Sequence, residues 1–213
     1  MSHAGLLILG FGGHARSVAD IALCSGMPCL RFYDVNARVG EQFNGFPAIA
    51  ILPKVLPDGW AFLPAAGDND AREQQLGWFA ADRLATLISP RAYLGIMAKV
   101  GAGSLVAHSA HLGPAVQVGR GAIINTGAIV DHESTIDDCS HVSVGATVAG
   151  RCRIGRRVMI GAGATVRDGR CIGDDVIIGA GAVVVSDLLQ PGVYAGVPAR
   201  PLRWASTKDG VRR

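Results

Sequence analysis

Every sixth residue from Val100 to Val184 is Val, Ile or Leu, without a break. At aliphatic frequencies of roughly one in four such a run does not arise by chance. A period of six matches neither the 3.6 of a helix nor the alternation of a strand. It is satisfied by one short strand and one corner per hexad, three sides closing a triangular coil around the aliphatic row. Four residues after each aliphatic position stands a small one, as at Ser104, Ala110, Ala122, Ser134, Ser140 and Ala164, with Arg170 the departure; it fits where two walls converge. Gly often follows the aliphatic residue directly, as at Gly101, Gly113, Gly119, Gly155, Gly161, Gly173 and Gly179, and is expected to supply corner backbone angles that a side chain forbids. The repeat accounts for the excess of glycine, which at 29 in 213 residues is about twice the usual share.

Residues 1–88 lack this period. Leu6 to Leu9 reads as a buried strand, Gly10 to Gly13 as a turn, His14 to Cys24 as a helix with Val18, Ile21 and Ala22 on one face, and Leu30 to Tyr33 as a strand ending at Asp34. After a turn-rich stretch, Trp60 to Ala66 gives another strand, Asp68 is placed to cap a helix through Phe79, and Leu84 to Ile88 returns to extended structure. Strands alternating with helices predict a small α/β domain with a parallel sheet over 1–88, joined at Ser89-Pro90 to the coiled domain, 89–213. Val193 to Trp204 leaves the hexad register and is expected to fold back over the prism, with a polar, loose end from Ala205 to Arg213.

Twenty Lys and Arg against 17 Asp and Glu, a net +3, give no overall field for nucleic acid or an acidic membrane surface. A content of 49% hydrophobic and 17% charged residues excludes a disordered chain. The five cysteines are odd in number, scattered and without a C-x-x-C pair, so they predict buried thiols, with no disulfide framework and no zinc knuckle. The start carries only the short apolar run Leu6 to Leu9 and no basic leader, and no stretch approaches the ~18 apolar residues of a membrane span. A cytoplasmic protein without membrane insertion is expected.

Gly10-Phe11-Gly12-Gly13-His14-Ala15 follows a strand and opens a helix, so its backbone N–H groups and helix dipole could receive a phosphate; the other reading is a turn needed only for tight packing. The domain has room for one mononucleotide-binding half, which argues against NAD and for a nucleotide diphosphate. Asp34, at the end of the second strand, sits where a ribose- or base-binding carboxylate is expected, or is a turn residue. The loop Gly67-Asp68-Asn69-Asp70 is a further wall of the same crevice, or a helix cap. Among the histidines of the repeats, His132 and His141 occupy hexad positions outside the core and are candidates for a site between subunits, whereas His108 and His111 read as ordinary surface residues.

The segment from Ile124-Asn125 to Asp131-His132-Glu133, its continuation His141 to Ala146, the front motif Leu7 to His14 and the closing Gly196-Val197-Pro198-Ala199-Arg200 carry a resemblance over nearly the whole chain. The chain resembles the hexapeptide-repeat nucleotide-aminosugar N-acetyltransferases, relatives of the sialic-acid O-acetyltransferases. The resemblance implies a small Rossmann-like α/β domain followed by a left-handed parallel β-helix, a homotrimer, and acetyl-CoA as cosubstrate with no metal. The implied acceptor is a nucleotide-linked amino sugar such as a 4-amino-4,6-dideoxyhexose. It also implies His132 as general base assisted by Glu133, Asn125 against the sugar, His141 near the acetyl group, and Gly12, Gly13, His14 and Asp34 holding the nucleotide; Asn69, from the loop that walls the same crevice, is grouped with them as substrate-binding. Arg200, in the closing motif, is assigned to the cofactor.

The chemistry agrees with that implication. A sugar amine must lose protons to attack a thioester, and imidazole is suited to accept one near neutral pH. Three hexads beyond His132 stands Gly150, whose N–H can approach the reacting carbonyl as an oxyanion donor with no side chain in the way. Downstream, Arg151, Arg153, Arg156, Arg157, Arg167 and Arg170 stand against Asp168 and could form a basic wall for the phosphates of coenzyme A. The rival readings are O-acetylation of a sugar hydroxyl, a zinc hydratase needing three converging histidines, and a non-catalytic scaffold.

Overall fold

The computed structural model describes residues 3–202. The front unit is one sheet of β1 (Gly5–Leu9), β2 (Leu30–Tyr33), β3 (Gln42–Phe43), β4 (Phe46–Ile49) and β5 (Trp60–Pro64), in the order β3-β4-β2-β1-β5. All but β3 run parallel. Helix α1 (Gly13–Cys24) buries Ala15, Val18, Ala19, Ile21 and Ala22, and β1 is buried along its whole length.

Two local expectations need correction. The turn-rich stretch contains the β3–β4 hairpin, whose turn residues Asn44 and Gly45 both have positive φ, the conformation that Asn-Gly favours in a two-residue hairpin loop. Helix α2 (Asn69–Gln75) ends before Phe79. Its last residue, Gln75, is pulled sideways into the sheet, accepting the Ala65 and Ala66 N–H groups at 3.2 Å and donating to Leu9 O at 3.1 Å, and Gly77 follows. Asp68 does cap α2, accepting from Ala71 N at 2.9 Å.

The chain passes between sheets within two residues: Ala85 N bonds Phe62 O and Leu87 N bonds Ser104 O. Thus β6 (Leu87–Ile88), expected within the front unit, is the first rung of the prism and pairs with Leu105–Val106. Three parallel walls follow, each strand stacked on the one three hexads earlier, as Leu112 on Val130 and Val130 on Val148. The aliphatic row from Val106 to Val184 is at most 5% exposed. Serine at the small position bridges coils: Ser134 Oγ donates to Ala149 O at 2.8 Å and accepts Cys152 N–H at 3.0 Å, and Ser104 and Ser140 repeat the pattern.

The glycines after the aliphatic residues serve space rather than backbone angle. None of them has positive φ; a Cβ at Gly101 would stand 2.8 Å from the Arg120 nitrogen, and one at Gly113 2.7 Å from the His132 nitrogen. The left-handed angle falls two residues later, at every sixth residue from Met97 to Gly181, whether glycine or not. Among the cysteines, Cys139 and Cys152 are buried, Cys29 and Cys171 half-buried and Cys24 exposed, all as free thiols, so burial was over-predicted. At the far end Gly192–Ala195 adds one more parallel rung, and only after Gly196 does Arg200–Pro201 turn back. Tyr194 and Ala199 thereby close the prism core. Trp204 and the expected loose end lie outside the described residues.

The front unit sits on one wall of the prism. Leu87, Leu105, Ala107 and Ile123 face outward from that wall yet belong to the same apolar cluster as Ile8, Val18 and Ile21. Arg72, 1% exposed, spans the seam. Its Nε donates to Gly121 O at 2.7 Å, and its Nη2 to Cys139 O and Asn69 Oδ1 at 2.6 Å each; its Nη1 donates to Ala66 O at 3.0 Å. Gly121 and Cys139 are left-handed turn residues one coil apart, and Asn69 Nδ2 takes the next in that column, Arg157 O, at 2.8 Å. Arg72→Met removes the donors to two buried prism carbonyls, at about 1–3 kcal/mol for each left unsatisfied. Urea unfolding should show that loss mainly in the front unit; an unchanged curve would refute the role.

Candidate functional site

The strand Ile129–Val130 ends in a turn that fixes His132 from both sides. Asp131 Oδ1 accepts His132 N–H at 2.7 Å. Glu133, at φ 58°, donates its N–H to Pro114 O at 2.9 Å. The half-exposed imidazole places Nδ1 3.3 Å from Glu133 Oε2, while Nε2 makes no hydrogen bond among the described residues. The ring lies over Gly150, where a Cβ would stand 2.6 Å from Cε1. Gly150 is buried, and its N–H donates to no protein acceptor among the described residues. An unbonded imidazole nitrogen and a free N–H donor therefore sit together, as the three-hexad stacking predicts.

His141 departs from its expected setting. It faces outward from its wall, stacked between Ile123 and Met159, but it is only 9% exposed because the front unit roofs that wall. Asn125 Oδ1 accepts the Thr126 N–H at 2.8 Å, so its amide nitrogen is the group that faces His141 Nε2 at 3.1 Å. Asn125 thus orients His141. His14, expected against a phosphate, is largely buried, with its ring centroid 6.1 Å from that of His141. His14 Nε2 and His141 Nδ1 are buried without hydrogen-bond partners. Burial first, and then the Arg72 cation, pushes the His14 ring down to about 4 and the His141 ring down to about 3, with His14 adding to the latter.

Gly12, Asp34, Phe11, Arg16, Asn36, Ala37 and Glu41 line an open depression of ≈ 310 Å³ at the ends of β1 and β2. A Cβ on Gly12 or Gly13 would meet nothing within 4 Å, so tight packing does not require glycine there. Asp34 uses Oδ1 to hold the Asn36 N–H at 2.9 Å. Arg16, which the sequence reading missed, packs its guanidinium 5.2 Å from the Phe11 ring and 5.5 Å from that of Phe43; its place in the first turn after Gly12-Gly13 was the available signal. Asn69 is committed to the Arg72 and Arg157 contacts of the domain seam. Arg200 is exposed and donates to its neighbour Ala199 O at 3.1 Å.

The basic wall is largely neutralised, because acids distant in sequence reach it. Arg156 and Arg157 pair with Glu73 at 2.6 and 3.3 Å, Arg157 with Asp175 at 2.7 Å, Arg170 with Asp187 at 3.2 Å, and Arg151 with Asp168 at 2.7 Å. His108 bonds Ser89 and Asp20, and His111 stacks on Tyr93 at 4.9 Å. Within the described residues of one chain, no three histidines converge as a zinc hydratase would need. No described helix is long and apolar enough to cross a membrane.

The His14 and His141 rings make stability depend on pH. Both stay neutral in the folded protein at pH values where the unfolded chain, with histidine near 6.5, binds protons, so stability rises with pH across that window. Below pH 6.5 the loss should approach about 1.4 kcal/mol per pH unit for each ring, levelling off near pH 4 for His14 and pH 3 for His141. Urea unfolding from pH 7 to 5 should show this slope, and His14→Gln should reduce it by one proton. A flat profile, or an unaltered slope in the variant, contradicts the burial argument.

Comparison with known proteins places this geometry. The PglD N-terminal domain family matches residues 5–79, and the bacterial transferase hexapeptide (six repeats) family matches residues 151–186. No curated protein sequence matches significantly. Among solved structures, the acetyltransferase domain of PglB from Neisseria gonorrhoeae FA1090 is 35% identical with a TM-score of 0.87, covering 93% of this chain and 100% of that domain. The same domain has also been solved in complex with acetyl coenzyme A. PerB from Caulobacter crescentus, solved with CoA and GDP-perosamine, is 30% identical with a TM-score of 0.79, covering 93% of this chain and 97% of PerB. WeeI from Acinetobacter baumannii AYE, at 23% identity, 92% and 99% coverage and a TM-score of 0.83, shares the fold. With a PglD-type front unit, a hexapeptide-repeat prism and 35% identity across the whole gonococcal domain, the chain belongs to the hexapeptide-repeat nucleotide-aminosugar N-acetyltransferase family.

Proposed function

We propose that the protein transfers the acetyl group of acetyl-CoA to the amino group of a nucleotide-linked amino sugar, a 4-amino-4,6-dideoxyhexose, by direct attack. The observation that carries the reading is the His132 ring, with Nδ1 beside Glu133, Nε2 unbonded and Gly150 beneath it. In this mechanism Nε2 takes a proton from the attacking nitrogen as the C–N bond forms. The carbonyl electrons move to oxygen, where the Gly150 N–H donates. Collapse breaks the C–S bond, and the departing thiolate takes the proton back from His132. Amine acceptors are favoured over hydroxyls because PerB, at 30% identity, was solved with GDP-perosamine.

In the same reading the diphosphate lies against Gly12 and Gly13 at the start of α1, with the ribose near Asp34 and Arg16 adding positive charge. The exposed apolar residues Tyr93, Ile96, Met97 and Ile129 support contact with further copies of the chain as a homotrimer. We assign the enzyme to the cytoplasm, where acetyl-CoA is supplied.

His132→Ala should keep the fold, because the ring is half-exposed, and should lower acetyl transfer by ~10²–10⁴. Steady-state rates on amine and hydroxyl acceptors check this; near-wild-type turnover at saturation would remove His132 from the mechanism. Gly13→Val should fold, because no protein atom lies where its Cβ goes. It should raise the Michaelis constant for the nucleotide sugar by about tenfold, or about 1.4 kcal/mol, and leave that for acetyl-CoA nearly unchanged. The reverse pattern would show that the two ligands are assigned to the wrong units.

A further inference from the structure

Where α1 meets the prism, three groups of different chemistry converge outside the His132 and His141 sites. Asp20 and Cys24 are four residues apart on α1 and so share one helix face. His108, on a prism turn, points Nε2 at Asp20 Oδ2, 3.0 Å away. One carboxylate oxygen, the Cys24 thiol and a ring nitrogen of His108 all lie within 4.8 Å of one another. A salt bridge joins Asp20 to His108, and the helix spacing brings the thiol to the same point as a third donor.

The support behind His108 is the second observation. Ser89 is 2% exposed, and its Oγ lies 2.6 Å from His108 Nδ1 while accepting the Arg91 N–H at 2.9 Å. Oγ has a second lone pair, so it can also accept a proton carried on Nδ1. That is the hydrogen bond that fixes a metal-ligating imidazole and leaves Nε2 free for the ion.

We propose that Asp20, Cys24 and His108 bind a divalent cation of the zinc class as a clip between the front unit and the prism. Thiolate, imidazole and carboxylate together select such a cation over magnesium or calcium, and water completes the tetrahedron. On binding, the Cys24 thiol releases its proton to solvent. The His108 proton moves from Nε2, where it faces Asp20, to Nδ1, where Ser89 Oγ accepts it. The site takes no part in acetyl transfer.

The test uses the full chain, stripped with chelator and titrated with Zn²⁺ against a chromophoric competitor, and then with Co²⁺. One equivalent per chain should bind, Co²⁺ should give a near-ultraviolet thiolate charge-transfer band, and Zn²⁺ should raise the melting temperature. Cys24→Ser, at an exposed helix position, should abolish the band and lower affinity at least tenfold. His108→Ala should do the same to affinity, and Cys171→Ser should change neither. Should His108→Ala misfold, Asp20→Asn replaces it. Absence of stoichiometric binding, a Co²⁺ complex without the thiolate band, or binding that survives Cys24→Ser would overturn the proposal.

Discussion

The arrangement of the whole molecule depends on one column of backbone carbonyls. The prism bends at a left-handed residue every six positions, and on one edge Gly121, Cys139 and Arg157 stack in successive coils with their carbonyls available to a neighbour. Helix α2 engages all three through Arg72 and Asn69. Burial lowers Arg72 to about 10, still a cation at neutral pH, and what its hydrogen bonds offer in compensation for the lost water is carbonyl oxygen. The fit must therefore be close in order to offset the desolvation of the charge. Glu73, next on the same helix, extends the contact to Arg156 and Arg157.

This attachment determines what the prism wall becomes. Without the front unit, Leu105, Ile123 and His141 would lie on an open surface; with it, they form part of a shared core or a buried polar pocket. His14 is carried to His141 by the same docking, and the depression at Gly12 and Asp34 is held in a set relation to the prism. The His132 turn needs none of this, because its geometry is internal to the coil: Asp131 and Pro114 fix the turn, and Gly113 and Gly150 leave room for it.

That division explains what could be read in the sequence. The prism core and the stacking of Gly150 under His132 follow from a fixed period, so they were legible. The role of the repeated glycines was misplaced because two different constraints share the period. Crowding by the next coil acts directly after the aliphatic residue, whereas positive φ falls two residues later, where Glu133, Cys139, Arg151, Arg157 and Asp175 accept it without glycine. Long-range pairings were not legible. Glu73 lies more than eighty residues before the arginines it neutralises, and nothing local in His141 or Asn125 says that their wall is roofed. The Asn44-Gly45 hairpin was visible in principle, but Pro47 and the glycine-rich setting masked its short strands.

The central claim is that an amine held by the front unit reaches Nε2 of His132 above Gly150. A crystal structure of the assembled protein with coenzyme A and a nucleotide-linked 4-amino sugar tests it most directly. The account predicts the sugar nitrogen within about 2.6–3.2 Å of His132 Nε2, or one water away, the diphosphate against Gly12 and Gly13, and the thiol end of coenzyme A beside Gly150. A sugar nitrogen bonded to the buried His141–Asn125 pair instead, with His132 facing solvent, would contradict it.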